Sequence, residues 1–491
     1  MAGDGLTIGG VDSGEYGLKP PLVSVVIVNW DYGRFVGAAI DSIRRQDYPH
    51  FECLIVDNGS TDDSRAVIAR HVAGDPRFST LFFDRNLGQM AAWLEALDRA
   101  KGEFVTVLDS DDIKFPNFIS SHVQVHLALR LGIAFTSSRV VEIDAEDRVI
   151  SGANLGFGFI PFDDAPHGLE PRDSVPRLAT ISDADYELLS QATARIMPER
   201  AGWFWAPTSA NMYRREVMTL ARPERNPQVD FLVGDIHFCV LCHIFGGSAV
   251  IDRTLSAYRV HARHGDKARP AFVSMLHMRT EPEAQAAAAR RSRYCTLRTL
   301  MQRAGSLRWI IKDRYWQAVD QQSGEITEKT LAAYYAEPEV QQVFADYFVE
   351  LIRDFDEQTV LHEFALRLPR LEARLAILRR LLSQAPGLRP SVEDAEYWRW
   401  VEWCMPTRPD ELGHLTHPRV ADLFADNLAT LVKAFGSVRM LTELRRRFDR
   451  ETRHAIIKRS RCTPLLTVAA VQNAVAFWHR VRPRWSSGAK A

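Results

Sequence analysis

Asp109 and Asp111, two residues apart in the run LDSDD, are the side chains in this sequence best placed to do chemistry. At a strand terminus, residues i and i+2 point to the same side, so their carboxylates can share a hard cation or a ribose hydroxyl. A Mg²⁺ or Mn²⁺ ion held there would bridge to a diphosphate. The competing reading is a solvated acidic turn in which Asp112 caps a helix carrying Pro116 in its first turn. Asp57 opens a second run, DNGSTDD, where a carboxylate can accept the imide N–H of a pyrimidine base and Gly59 permits a tight turn. Such a run is also an ordinary Asx-rich turn. Trp203 and Trp205 offer large indole faces that could stack on a ligand, with core packing as the alternative. CVLCH at 239–243 matches a haem-attachment pattern, but that chemistry belongs to an exported protein and no signal-peptide pattern is present. On a helix Cys239, Cys242 and His243 share a face, yet no second ligand pair at zinc-like spacing accompanies them, which favours packing.

These residues need elements to hold them. LVSVVIVN (22–29) is a β-branched run of the kind expected in a strand buried on both faces. A helical pattern on Phe35, Ala38, Ala39, Ile40 and Ile43 follows, then the strand FECLIVD ending at Asp57. The alternation continues with a helix over 65–71, a strand at 81–83, a helix over 89–99 and the strand EFVTVLD ending at Asp109. This order predicts an α/β fold with a doubly wound, mostly parallel sheet. In such sheets ligands bind beyond the carboxyl ends of the strands, where Asn29–Gly33, Asp57–Ser60 and Asp109–Asp112 lie. NWDYGRF after the first strand is neither a dinucleotide fingerprint nor a phosphate-wrapping loop, so a bound diphosphate needs another counter-charge.

Further along come a strand GIAFTSS, a hairpin VVEID/DRVISG and a Gly/Pro-rich loop or lid over 151–176. From about 270 helical patterns dominate, including the stripe Leu371, Leu375, Leu378 and Leu382, and Ser391 with Asp394 reads as a helix start. The expected organisation is a flexible leader over 1–20, a catalytic domain over 21–270 and a helical accessory region over 271–491. The apolar segment 464–478, flanked by arginines and lysines, reads as a docked helix or one lying in a membrane interface.

In 491 residues, 46% hydrophobic and 25% charged, there is ample core for a multidomain globular protein. Sixty-one basic against 62 acidic residues removes the positive footprint that nucleic acid requires. Scattered cysteines and the lack of a secretory pattern suggest a cytoplasmic setting, and no apolar run is long enough to span a bilayer.

The stretches VSVVIVNWDYGRFVGAAIDSIRRQDYPHFECLIVDNGSTDDS and RNLGQMAAWLEALDRAKGEFVTVLDSDD resemble the nucleotide-sugar-binding half of glycosyltransferase family 2, over roughly residues 22–262. The resemblance implies a GT-A-type fold and an inverting transfer from a UDP- or dTDP-sugar to a glycan or lipid-linked acceptor. It implies that Asp57 holds the base, with the Asn29–Asp31 turn as the floor of its pocket, and that Asn29, Asp31, Asn86 and Gln89 contact the donor. Asp109 would meet the ribose or metal, and Asp111 the metal. PTSANMYRREVM and GDIHF are similar to the segments around the acceptor site, which makes Asp235 the candidate general base, with Asp230 as a rival. The closing LSAYRVH implies Arg259 near the pyrophosphate and His261 near the metal, while Trp203 and Trp205 flank the acceptor side. Two positions depart from the family pattern, Asn58 after Asp57 and Gly234 before Asp235. A pyrophosphorylase would need a Gly- and basic-rich loop after the first strand, which is absent. A silent sugar-nucleotide-binding scaffold is the non-enzymatic alternative.

Overall fold

The structure is a computed structural model that describes residues 5–8, 11–130, 132–152, 168–225, 229, 232, 234–261, 282–323, 327–405 and 417–460. The chain forms two compact units, Met1–Ile326 and Thr327–Ala491. The helices Pro282–Gln302, Ala304–Ile310 and Tyr315–Asp320 therefore group with the first unit, although the composition shift lies near 270. Part of the leader is also ordered by pairing. Here β1 (Leu6–Ile8) binds antiparallel to β2 (Val11–Asp12) and to β10 (Arg177–Leu178), and Leu6 is buried in the core.

The main sheet is built from the expected runs. β3 (Val23–Asn29) lies between β4 (Phe51–Asp57) and β6 (Phe104–Asp109), parallel to both, and β5 (Phe78–Phe82) extends the sheet beyond β4. Val23, Val25 and Ile27 are wholly buried, as a central strand covered on both faces requires. On the other flank, β12 (Asn211–Arg214) inserts antiparallel between β6 and β8 (Phe135–Ile143). β8 then pairs in parallel with the long β13 (Ser248–Arg259), which pairs antiparallel with β11 (Thr193–Ile196). β7 (Ile113–Lys114) adds to β13, and β9 (Val149–Ser151) closes the expected hairpin on β8. The sheet is thus mixed but mainly parallel, with helices against it, as the alternating pattern demands.

The register sets the site. Asn29 is level with Asp57, and Val28 with Asp109, so three polar strand ends finish on one edge of the sheet. The helices between them, α1 (Gly33–Arg44), α2 (Ser64–Val72) and α3 (Gln89–Leu97), start from that edge.

The second unit is helical over its described residues, from Glu328–Tyr335 to Arg450–Ser460. Leu375, Leu378 and Leu382 of the expected stripe are buried along Leu371–Leu388, and Leu371 is half-buried at its start. The helix expected from Ser391 begins instead at Asp394. Ser391 Oγ donates to Leu388 O and accepts from Arg353, so it closes the preceding turn rather than capping the next helix. The segment 464–478 lies outside the described residues. Among those described, no helix is long and apolar enough to cross a membrane.

Candidate functional site

Beyond the sheet edge lies a cavity of about 350 Å³ lined by Asn86, Gln89, Asp109, Ser110, Asp111 and Asp235, together with Val28, Trp30, Tyr32, Asn58, Pro207, Thr208 and Tyr258. The first strands deliver Asp109 and Asp111 from one side. The helix α7 (Gly234–Gly246), which comes after β12 and the short helix Arg215–Leu220, delivers Asp235 in its first turn from the other. Residues more than 120 apart in sequence therefore face one space.

The acidic turn is held from both sides. Ser209 Oγ donates to Asp112 Oδ2 over 2.6 Å and accepts from Asp109 N over 3.1 Å. From β13, Arg259 N donates to Asp112 Oδ1 over 2.8 Å and Arg259 Nε to Asp111 O over 2.6 Å. Asp112 is therefore a buried brace and not the solvated helix cap of the bland reading, and Asn117 precedes the next helix instead. Burial, reinforced by Asp111 and Asp109, pushes the Asp112 carboxyl well above the ordinary carboxylate range. Lys114, also buried, donates to Ser209 O, and burial drives its ammonium well below the usual value.

Asp235 is partly open to the cavity. Burial raises its carboxyl above the ordinary value, while hydrogen bonds from Ile236 N and from the Thr208 hydroxyl and backbone pull it back down. Tyr258 lines the same space, and burial, with Asp112, Asp111, Asp109 and Asp235 around it, raises its phenol well above the usual range. The first turn of α7 sits tightly. A Cβ on Gly234 would lie 2.6 Å from the Trp93 ring, which is buried and stacked on Phe238 at 5.9 Å. Glycine at this departure from the family pattern thus has a steric reason. Gly234→Ala should cost about 1–3 kcal/mol by overpacking, read as a lower denaturation midpoint; an unchanged midpoint would show that the indole yields.

Several residues expected at the site support it from behind. Asp57 is fully buried and spends its carboxylate on Asn29 Nδ2 at 3.0 Å, Arg65 Nε at 3.0 Å and Ser60 N at 3.2 Å. It is not among the residues that line the cavity. Its neighbour Asn58 lines the space instead. Asn29 is likewise buried beneath. Asp31, with a left-handed φ of 56°, accepts from Thr61 N over 2.6 Å and stitches its turn to the 57–62 loop. In that loop Gly59 has a φ of 75°, and a Cβ there would meet the Arg85 backbone at 2.3 Å.

Arg259 is almost wholly buried, with Nη1 donating to Asp144 O over 2.8 Å and pairing with Asp147 over 2.7 Å. Its Nε and Nη1 thus brace the turn through two carbonyls and the Asp147 carboxylate. His261 lies behind Asp111, with Nε2 3.0 Å from Asp111 Oδ2 and its ring against Tyr32 and Phe35. Trp205 is buried, with Nε1 donating to Ser248 Oγ over 2.9 Å, so it packs largely as core. Trp203 remains 38% exposed. Cys239 and Cys242 are buried and free. Cys239 Sγ lies 3.1 Å from the Tyr213 hydroxyl, and His243 contacts Ser248 Oγ at 3.0 Å and Arg200 O at 3.1 Å, with its imidazole pushed down to about 4 by burial. Asp230 lies outside the described residues. Among the described residues, no three His, Cys, Asp or Glu side chains form a ready-made metal cluster.

Residues 24–162 match the family described as Glycosyl transferase family 2. An uncharacterized glycosyltransferase of Nostoc sp. is 28% identical over 241 residues, which is 49% of this chain and 65% of that protein. Glycosyltransferase GlyG of Streptococcus pneumoniae is 33% identical over 103 residues, covering 21% of this chain and 34% of that one. UDP-Glc:alpha-D-GlcNAc-diphosphoundecaprenol beta-1,3-glucosyltransferase WfgD of Escherichia coli is 31% identical over 114 residues, 23% of this chain and 44% of that one. Among solved structures, TarS of S. aureus overlaps 73% of this chain and 54% of its own, at 14% identity and a TM-score of 0.39. The chain thus spans less than two thirds of the length of these relatives. The match over 24–162 takes in the strands and acidic turn that form one wall of the cavity, and over those residues the chain is similar to a glycosyltransferase family 2 domain.

Proposed function

We propose that the protein is an inverting glycosyltransferase that moves a sugar from a nucleoside-diphosphate donor to a hydroxyl acceptor. The observation that carries this reading is the single cavity shared by Asp109, Asp111 and Asp235. An acceptor hydroxyl must lose its proton as it attacks the anomeric carbon, and Asp235 is the carboxylate on the far side of the cavity from the acidic turn. It takes the proton while the bond to the nucleoside diphosphate breaks on the opposite face, and a single displacement inverts the centre. Asn86 and Gln89 supply amides toward the donor, with Gln89 Nε2 already 3.2 Å from Asp109 Oδ1. Trp30, 51% exposed on the cavity wall, offers the face on which a base would stack.

The donor set suits a divalent cation. Asp109 and Asp111 present hard carboxylate oxygens, His261 orients Asp111 from behind, and a bound Mg²⁺ or Mn²⁺ would take its remaining ligands from phosphate and water. Bound there, the ion would offset charge growing on the departing diphosphate. A pyrimidine nucleotide is favoured by the UDP-Glc in the name of the Escherichia coli relative. The acceptor is a glycan or a lipid-linked sugar, and the buried free thiols agree with a reducing, cytoplasmic setting. Thermal unfolding with Mn²⁺ and a panel of nucleoside diphosphates, followed by hydrolysis of UDP-glucose, tests the proposal. UDP should raise the melting temperature and UDP-glucose should be slowly hydrolysed. Binding without turnover would point to a silent scaffold, and no response to any nucleotide would remove the reading.

A further inference from the structure

A second cavity, of about 240 Å³, lies on the other side of α7 from the catalytic space and within the first unit. Asp235 faces the first cavity, whereas Ile236, Val240 and Ile244, a stripe at helical spacing, line the second. The candidate base and the first residue of that stripe are thus neighbours in sequence that line different cavities.

The walls of this pocket have the chemistry of a sugar subsite. Trp203 is its exposed aromatic, and it is not loose: Nε1 donates to Trp205 O over 2.8 Å, and the ring meets Trp205 edge-on at 5.3 Å. An indole fixed at its polar end and 38% exposed is a platform for the C–H face of a pyranose. Opposite it, Gln321 donates its amide N–H to Pro198 O and Glu199 O, and Gln322 donates to Ala318 O. Among the described residues no donor is bonded to either amide oxygen, and sugar hydroxyls are the donors such acceptors suit. Thr296 adds a hydroxyl to the lining, though it donates back to Ser292 O. The volume suits one sugar ring and is smaller than the cavity assigned to the nucleotide-sugar.

We propose that this second cavity is a carbohydrate subsite that holds a sugar unit of the acceptor remote from the reacting hydroxyl, so that the enzyme prefers an acceptor glycan of more than one residue. The inference rests on the glycosyltransferase reading for its purpose, but the sugar binding itself is independent of donor chemistry.

The test is saturation-transfer NMR on the full chain with a panel of methyl hexosides, N-acetylhexosaminides and their β-linked disaccharides. At least one should receive saturation on its ring C–H protons. Trp203→Ala should weaken that binding about tenfold, in the range of an aromatic stacking contact, and Val240→Phe, which takes up cavity volume, should abolish it. Asp235→Asn should leave it unchanged. Thermal unfolding of each variant shows that the fold is kept. No saturation transfer to any sugar, or transfer that survives both cavity variants, would overturn the inference. Hydrolysis of UDP-glucose in the same preparations separates the two ideas: donor turnover without sugar binding removes only the subsite, and sugar binding without donor binding or turnover removes the glycosyltransferase reading.

Discussion

Asp235→Asn should bind the nucleotide donor as the wild type does while losing about 10²–10⁴-fold in turnover, the usual contribution of a positioned general base. The substitution is nearly isosteric, and an amide oxygen can still accept from Ile236 N and from Thr208, so the first turn of α7 should stay in place. What disappears is a group able to take the proton of the acceptor hydroxyl. The pH profile gives a second readout. A base works in its deprotonated form, so activity should fall as pH drops through the value for Asp235, and burial places that limb above the ordinary carboxylate range. In Asp235→Asn the limb should vanish along with most of the rate. Donor affinity lost in step with turnover would mean that Asp235 belongs to the donor side of the cavity.

The parts of this site that could be read from sequence are those set by local periodicity. Strand ends and the i, i+2 spacing of Asp109 and Asp111 follow from a period of two, and the order of strands and helices places those ends on one edge. The family resemblance adds Asn86, Gln89 and Asp235, which do line the cavity. What sequence did not disclose is which polar side chains are already used. Asp57 looks like Asp109, a carboxylate at a strand end, but the Asn29 amide and the Arg65 guanidinium converge on it and seal it below the surface. Arg259 looks like an anion binder, yet Asp111 O and Asp144 O, carbonyls more than a hundred residues away, take its Nε and Nη1. No periodicity encodes such pairings, because they depend on where distant loops come to rest. The same holds for β12, four residues long between a 3-10 helix at Thr208–Ala210 and a short α-helix at Arg215–Leu220, which makes the sheet mixed and places Ser209 against the acidic turn. Tyr258, on the cavity wall, was readable only as one position of a long strand.

Asp111→Asn should abolish the Mn²⁺-dependent part of donor binding while leaving the metal-free protein at least as stable as the wild type. Three carboxylates, Asp109, Asp111 and Asp112, crowd one turn, and burial together with the charges of Asp111 and Asp109 raises the Asp112 carboxyl. Removing one charge relieves that repulsion, and the amide oxygen can still accept from His261, so the melting temperature without metal should hold or rise. The same removal deprives a divalent cation of one of its two facing carboxylates. Loss of an outer partner alone commonly weakens metal binding 10–100-fold, so loss of a direct ligand should cost more than about 100-fold. A ligand at about a hundred times its dissociation constant stabilises the native state by about 2.7 kcal/mol. Wild type should show a shift of that order when Mn²⁺ and UDP are added together, and Asp111→Asn should show almost none. Opposite signs in the two conditions separate a lost metal ligand from a damaged fold, which would lower both. Calorimetric titration of UDP with and without Mn²⁺ completes the comparison, and metal-dependent affinity that persists in Asp111→Asn would remove the cation from the acidic turn.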